Sequence, residues 1–141
     1  MKKIIYILLL IPFIAISCKK EKKKENPIIG KWYTQKTVTK VYVGGSSTPS
    51  TSTEENFSAN DWYEFRANGT YSSSGRPAGE QSATYSVNSS ANTITLKTST
   101  GDVTGVIKTL TTSNLALYTE STYLGDKATL DVTFARTVKE R

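Results

Sequence analysis

The chain has 141 residues, with 18 basic and 12 acidic side chains, one cysteine and no histidine. Without histidine there is no imidazole base, no Ser-His-Asp triad and no imidazole metal ligand, and a lone cysteine has no partner for an internal disulfide. The formal charge of +6 would suit a nucleic-acid binder if it lay on a folded domain, but its placement along the chain argues against that.

Lys2 and Lys3 open the chain, followed by IIYILLLIPFIAIS, a run of 14 residues, and then Cys18. A positive start, an apolar stretch and a small residue ahead of the cut make residues 1–17 an export signal. The run is short of the roughly 20 residues that a membrane-spanning helix needs, and Pro12 interrupts it. An ordinary secretory signal would leave Cys18 as a lone thiol on an exported protein, which calls for an explanation. Residues 18–27 follow as a tether. Its KKEKKKE segment, 19–25, carries five Lys against two Glu, whereas the chain from Asn26 onward has 11 basic and 10 acidic residues. The charge therefore belongs to a solvated stalk suited to anionic headgroups, and no nucleic-acid partner is expected of the nearly neutral remainder.

Residues 28–141 are rich in Thr, Ser, Val and Tyr and show no sustained helical periodicity. Short β-prone runs alternate with turn residues, the pattern of a sandwich or barrel. Eight strands are predicted, at 31–43, 62–67, 70–74, 81–87, 93–98, 103–110, 115–122 and 128–137. Asn68-Gly69 is the strongest hairpin signal, because both positions of a type I′ turn take positive φ. The connections are short apart from the first, 44–61, so the fold expected is all-β, an eight-stranded antiparallel up-and-down barrel with no free sheet edge. A barrel of that size either fills with side chains or holds one small ligand.

Alternation along the strands picks out an inner face. The candidate lining of a ligand site is Tyr63, Phe65, Tyr71, Tyr85, Ile94, Leu96, Leu117 and Phe134. Leu130, Val132 and Phe134 share a face that Arg136 continues, and a cation there needs a partner.

Two resemblances add to this reading. The residues AIS leading into Cys18 resemble a bacterial lipobox, with Ala15 at the third position before the cysteine. The resemblance implies that Cys18 becomes the first residue of the mature chain and carries acyl chains such as palmitate. These would anchor it in the bacterial cell envelope, at the outer membrane, with the periplasmic or surface face left open. The order Gly30-Lys31-Trp32, YEFRANGTY at 63–71, YSVNSSANTITL at 85–96 and FAR at 134–136 is similar to the lipocalin-like, calycin-type lipoproteins of Bacteroidetes. That likeness implies a lipocalin-like barrel in which Trp32 closes one end, Arg136 stacks across it and Gly30 frees the backbone at the base, a structural rather than ligand-binding group.

Little catalytic chemistry remains. Gly-rich phosphate loops and calcium-loop spacings are missing, and Glu54, Glu55, Asp61 and Glu64 read as solvated carboxylates rather than a facing pair. No catalytic residue, cofactor or metal is expected. Two functions stay open. One is a membrane-anchored, non-catalytic barrel holding a small apolar ligand. The other is an envelope interaction lipoprotein with a filled barrel, touching a protein or glycan through the 44–61 loop, with Phe57, Trp62 and Tyr42 as aromatic anchors.

Overall fold

The computed structural model describes residues 26–79 and 81–138. The proposed signal peptide, Cys18 and most of the tether lie outside the described residues. The strands are β1 (Gly30–Tyr42), β2 (Ser50–Glu54), β3 (Trp62–Phe65), β4 (Thr70–Ser74), β5 (Gln81–Asn88), β6 (Thr93–Thr98), β7 (Gly101–Leu110), β8 (Asn114–Tyr123) and β9 (Asp126–Ala135). From β3 to β9 each strand pairs antiparallel with the next, and β9 pairs with β1 to close the sheet. The protein is all-β, an eight-stranded closed antiparallel barrel with one additional strand, β2.

β2 corrects the reading of 44–61 as an irregular connection. Residues 50–54 lie in register against Thr37–Val41, on the same side of β1 that pairs with β3 through Gly30–Tyr33. Thus β2 and β3 run end to end along β1, and residues 55–61 bulge out between them. The sequence STSTE is β-branched at two of five positions and gives the edge of the upper half of β1 a partner. Among the described residues, β2 pairs only with β1.

Two irregularities set which side chains point inward. A bulge in β1 between Thr34 and Lys36 shifts the alternation by one residue. Trp32 and Thr34 face in below it, and Thr37, opposite Val132, faces in above it. A second bulge in β7, between Ile107 and Thr109, keeps Ile107 opposite Leu117 and Leu110 opposite Leu115.

The hairpin at Asn68-Gly69 exists, but not as a two-residue type I′ turn. The Gly69 N–H donates to the Arg66 carbonyl at 3.1 Å, and Gly69, at φ 80, occupies the last position of a four-residue turn. Two successive positive φ values occur instead at Leu124 (50) and Gly125 (89), between Tyr123 and Asp126.

Ile28, Trp32, Phe65, Tyr71, Ile94, Leu115 and Phe134 form the most deeply buried part of the core. They cluster towards the end of the barrel where β1 begins and β9 ends. We call this the packed end. The opposite end carries the β1–β2, β4–β5, β6–β7 and β8–β9 connections and forms a mouth.

Candidate functional site

At the packed end, residues 26–29 cross the base of the barrel. Ile28 is fully buried, and its carbonyl accepts a hydrogen bond from the Trp32 indole N–H at 2.7 Å. Arg136, just past β9, lays its guanidinium over the Trp32 ring at 3.6 Å from the centroid. Its N–H groups donate to the carbonyls of Pro27 at 2.7 Å, Ile29 at 2.8 Å and Lys31 at 3.3 Å. Burial lowers the Arg136 pKa from its ordinary value, but an arginine this basic stays charged. Cation–π contact contributes about 0.5–2 kcal/mol, and three backbone carbonyls satisfy the fork. Gly30, at φ 117, lies directly under the guanidinium, and a Cβ there would collide with it. The group ties the first and last strands together across the base of the barrel.

Three of the predicted lining residues also belong to this packed region. Phe65, Tyr71 and Ile94 are wholly enclosed by protein. Tyr85 sets its ring edge-on to Phe65 at 5.0 Å and donates its hydroxyl hydrogen to the Arg66 carbonyl at 2.9 Å, so it clamps the β3–β4 turn. None of the four lines the cavity described next. Alternation gives the face on which a residue points, whereas its height along the barrel depends on strand stagger.

Tyr63, Leu96, Leu117 and Phe134 do meet around one space, a cavity of ≈ 230 Å³ that opens toward the mouth. Leu130, Val132 and Val103 complete the apolar wall, Pro77 and Ala78 of the β4–β5 connection roof it, and Gln81, Thr98, Thr100 and Thr119 supply polar groups. Among the described residues that line it, none is charged. At about 30 Å³ per water, it has room for about seven waters or one compact organic molecule, somewhat below the usual range of about 300–1,000 Å³ for ligand pockets. A wider depression of ≈ 610 Å³ lies at the packed end between Asn26, Pro27, Asn92 and Lys108. It is bordered by the chain's N-terminal segment, by polar turns and by Val87, Ile107 and Leu110 of the strands, and the more apolar space at the mouth is the better ligand site.

The roof is held by a buried carboxylate that sequence reasoning read as solvated. Asp61 is only 4% exposed. It accepts from the Ser58 N–H at 2.6 Å, the Ser58 hydroxyl at 2.9 Å and the Arg76 N–H at 2.7 Å. Burial alone would raise its pKa, but these hydrogen bonds to the charged form outweigh it and hold the carboxyl below its ordinary value. Gly75, at φ 67, permits the approach, because a Cβ there would strike Asp61 and the Asn60 carbonyl. The Arg76 side chain then reaches back across the gap between the β4–β5 connection and β2. It pairs with Glu54, donates to the Asn56 carbonyl at 2.5 Å and covers the Phe57 ring at 5.0 Å.

This arrangement removes Phe57 from the aromatic anchors expected of the 44–61 loop. Phe57 is buried beneath Arg76 rather than displayed. Tyr42 lies under the Lys127 ammonium at 5.9 Å and Trp62 under that of Lys31 at 4.0 Å. Glu54 and Glu55 form ion pairs with Arg76 and Lys36, and Glu64 pairs with Arg66. The large apolar side chains exposed at the mouth are Val43, Val103, Tyr123 and Leu124.

No known protein family, curated protein or solved structure matches the chain.

Proposed function

We propose that the protein is a non-catalytic binding barrel that holds one small, mostly apolar molecule in the cavity beneath Pro77 and Ala78. The observation that carries this reading is the cavity itself, a space of ≈ 230 Å³ open toward the mouth and walled by inward-facing leucine, valine, tyrosine and phenylalanine side chains. Natural cores pack densely and leave few voids larger than a water molecule, so a space of this size is a natural ligand site. The signal-like N-terminus, the AIS-Cys18 junction and the lysine tether support an envelope lipoprotein held at a membrane by acyl chains. The order of the GKW, NGTY and FAR segments supports a lipocalin-like kinship.

The test is native against denaturing mass spectrometry of the full chain after incubation with an envelope lipid extract. A discrete noncovalent adduct, absent from Leu117→Trp, is the expected result. A bare wild-type protein under native conditions would remove the reading.

A second reading, contact with an envelope protein, is favoured by one observation. Tyr123 and Leu124 are 77% and 88% exposed on a tight turn at the mouth, with Leu124 in a left-handed conformation that disfavours a large side chain. Crosslinking in intact envelopes should capture a partner that Leu124→Asn loses. Equal capture by both chains would dismiss it.

A further inference from the structure

The polar groups of the cavity can be accounted for one by one. The amide N–H of Gln81 donates to the Ala78 carbonyl at 3.1 Å, and its amide oxygen accepts from the Tyr71 hydroxyl at 3.1 Å. Thr98 donates to the Gly101 carbonyl at 2.7 Å, and the Thr98 and Thr100 hydroxyls lie 3.0 Å apart. Thr119, near the mouth, is only partly buried. Tyr63 is different. It is 92% buried (8% exposed) and lines the cavity, yet among the described residues its hydroxyl has no hydrogen-bond partner. No fully enclosed side-chain polar atom among the described residues lacks a partner, so the hydroxyl must be reachable from the space it lines.

Its ring is fixed in place, edge-on to Phe134 at 5.3 Å and stacked on Phe65 at 6.4 Å. The hydroxyl therefore cannot swing away to find a partner without disturbing the core. Cavities that hold ligands pair an apolar wall with a few placed polar groups, and this hydroxyl is such a group, held on the wall without a protein partner among the described residues.

Resting on the binding-barrel reading above, we infer that the Tyr63 hydroxyl is the cavity's recognition group, donating a hydrogen bond to an acceptor oxygen of an uncharged ligand of about ten non-hydrogen atoms. The uncharged character follows from the wall, since a carboxylate or phosphate placed among these described side chains would be stripped of water with no cation to meet it. The donor role follows from the phenol. Burial, with Tyr71 nearby, pushes its pKa far above the usual range, so the proton is present at any physiological pH.

Three probes of equal length separate the terms: nonane, 2-nonanone and nonanoate, titrated against the full chain and Tyr63→Phe. The wild type should bind the ketone more tightly than the alkane. Tyr63→Phe should weaken ketone binding by about 2- to 12-fold, the value of one hydrogen bond, and leave nonane unchanged. The infrared carbonyl band of bound ¹³C-labelled 2-nonanone should lie at lower wavenumber than in hexane. The band reports a hydrogen bond to the ketone in the wild type, and its return toward the hexane position in Tyr63→Phe, in a variant shown to be folded by circular dichroism, assigns the donor to this phenol. Nonane and ketone bound equally, with no band shift, would overturn the role of Tyr63 while leaving the binding barrel intact. Nonanoate bound more tightly than the ketone would overturn the uncharged ligand. Failure of all three to bind the wild type would overturn the binding barrel and this inference with it.

Discussion

The two ends of this barrel are built from the same alternating strands but reach opposite results. At the packed end, a tryptophan, an arginine and the segment 26–29 meet across the axis above the buried rings of Phe65 and Tyr71. At the mouth, Tyr63, Phe134, aliphatics and threonines line a space they do not fill, and the roof is a turn tied down from outside the barrel by Asp61 and Arg76. A closed sheet does not itself decide between a core and a cavity. The decision comes from which large side chains reach the axis at each height, and from what crosses the end.

That contrast can be broken most severely at the packed end. Trp32→Ala removes a fully buried indole and should cost about 3–5 kcal/mol, read as a fall in the urea midpoint. A loss under about 1 kcal/mol would mean that the base is not closed by this ring. Arg136→Lys keeps the charge but loses the planar fork that serves three carbonyls and the indole face. It should cost about 1–3 kcal/mol by the same measurement, and an unchanged midpoint would show that charge alone suffices.

At the mouth, Asp61→Ala should cost about 1–3 kcal/mol, because it strands the N–H donors of Ser58 and Arg76. The pH dependence sharpens this. The folded Asp61 pKa is depressed, so its contribution is present above the ordinary value of 3.8 and is lost as pH falls through the lower folded value. Between pH 7 and pH 3 the wild type should therefore lose more stability than Asp61→Asn. Parallel losses in the two chains would detach the carboxylate from the acid response. The smallest effect on stability is expected from Leu117→Trp, which places bulk into existing space and should leave the urea midpoint within about 1 kcal/mol of the wild type. A large destabilisation there would mean that the space is too small to accept a ring.

Much of the strand order was readable in the sequence. Alternation in YEF, TITL and LAL marks the inner face, and Gly, Asn and Ser clusters mark the turns. β2 escaped because STSTE has no apolar member to alternate, and its place is fixed by backbone pairing to β1. The β1 bulge escaped because an inserted residue changes phase without changing composition. Asp61 looked like any loop carboxylate, since only Ser58 lies near it in sequence, while the Arg76 N–H and the close approach of Gly75 come from fifteen and fourteen residues further along. Half of the predicted lining, Tyr63, Leu96, Leu117 and Phe134, surrounds the cavity, and the other half packs below it or clamps a turn. The missing information was height along the axis, which strand stagger sets and a period of two cannot express. Tyr63 stands out only once its neighbours' hydrogen bonds have been assigned.

The segment 26–29 has a further consequence. Because the chain enters across the base and is pinned there by the Trp32 indole and the Arg136 fork, whatever precedes Asn26 leaves from the end opposite the mouth. A pull on the leading segment would load the base first, whereas the rim, with its roof turn and exposed Leu124, lies at the far end.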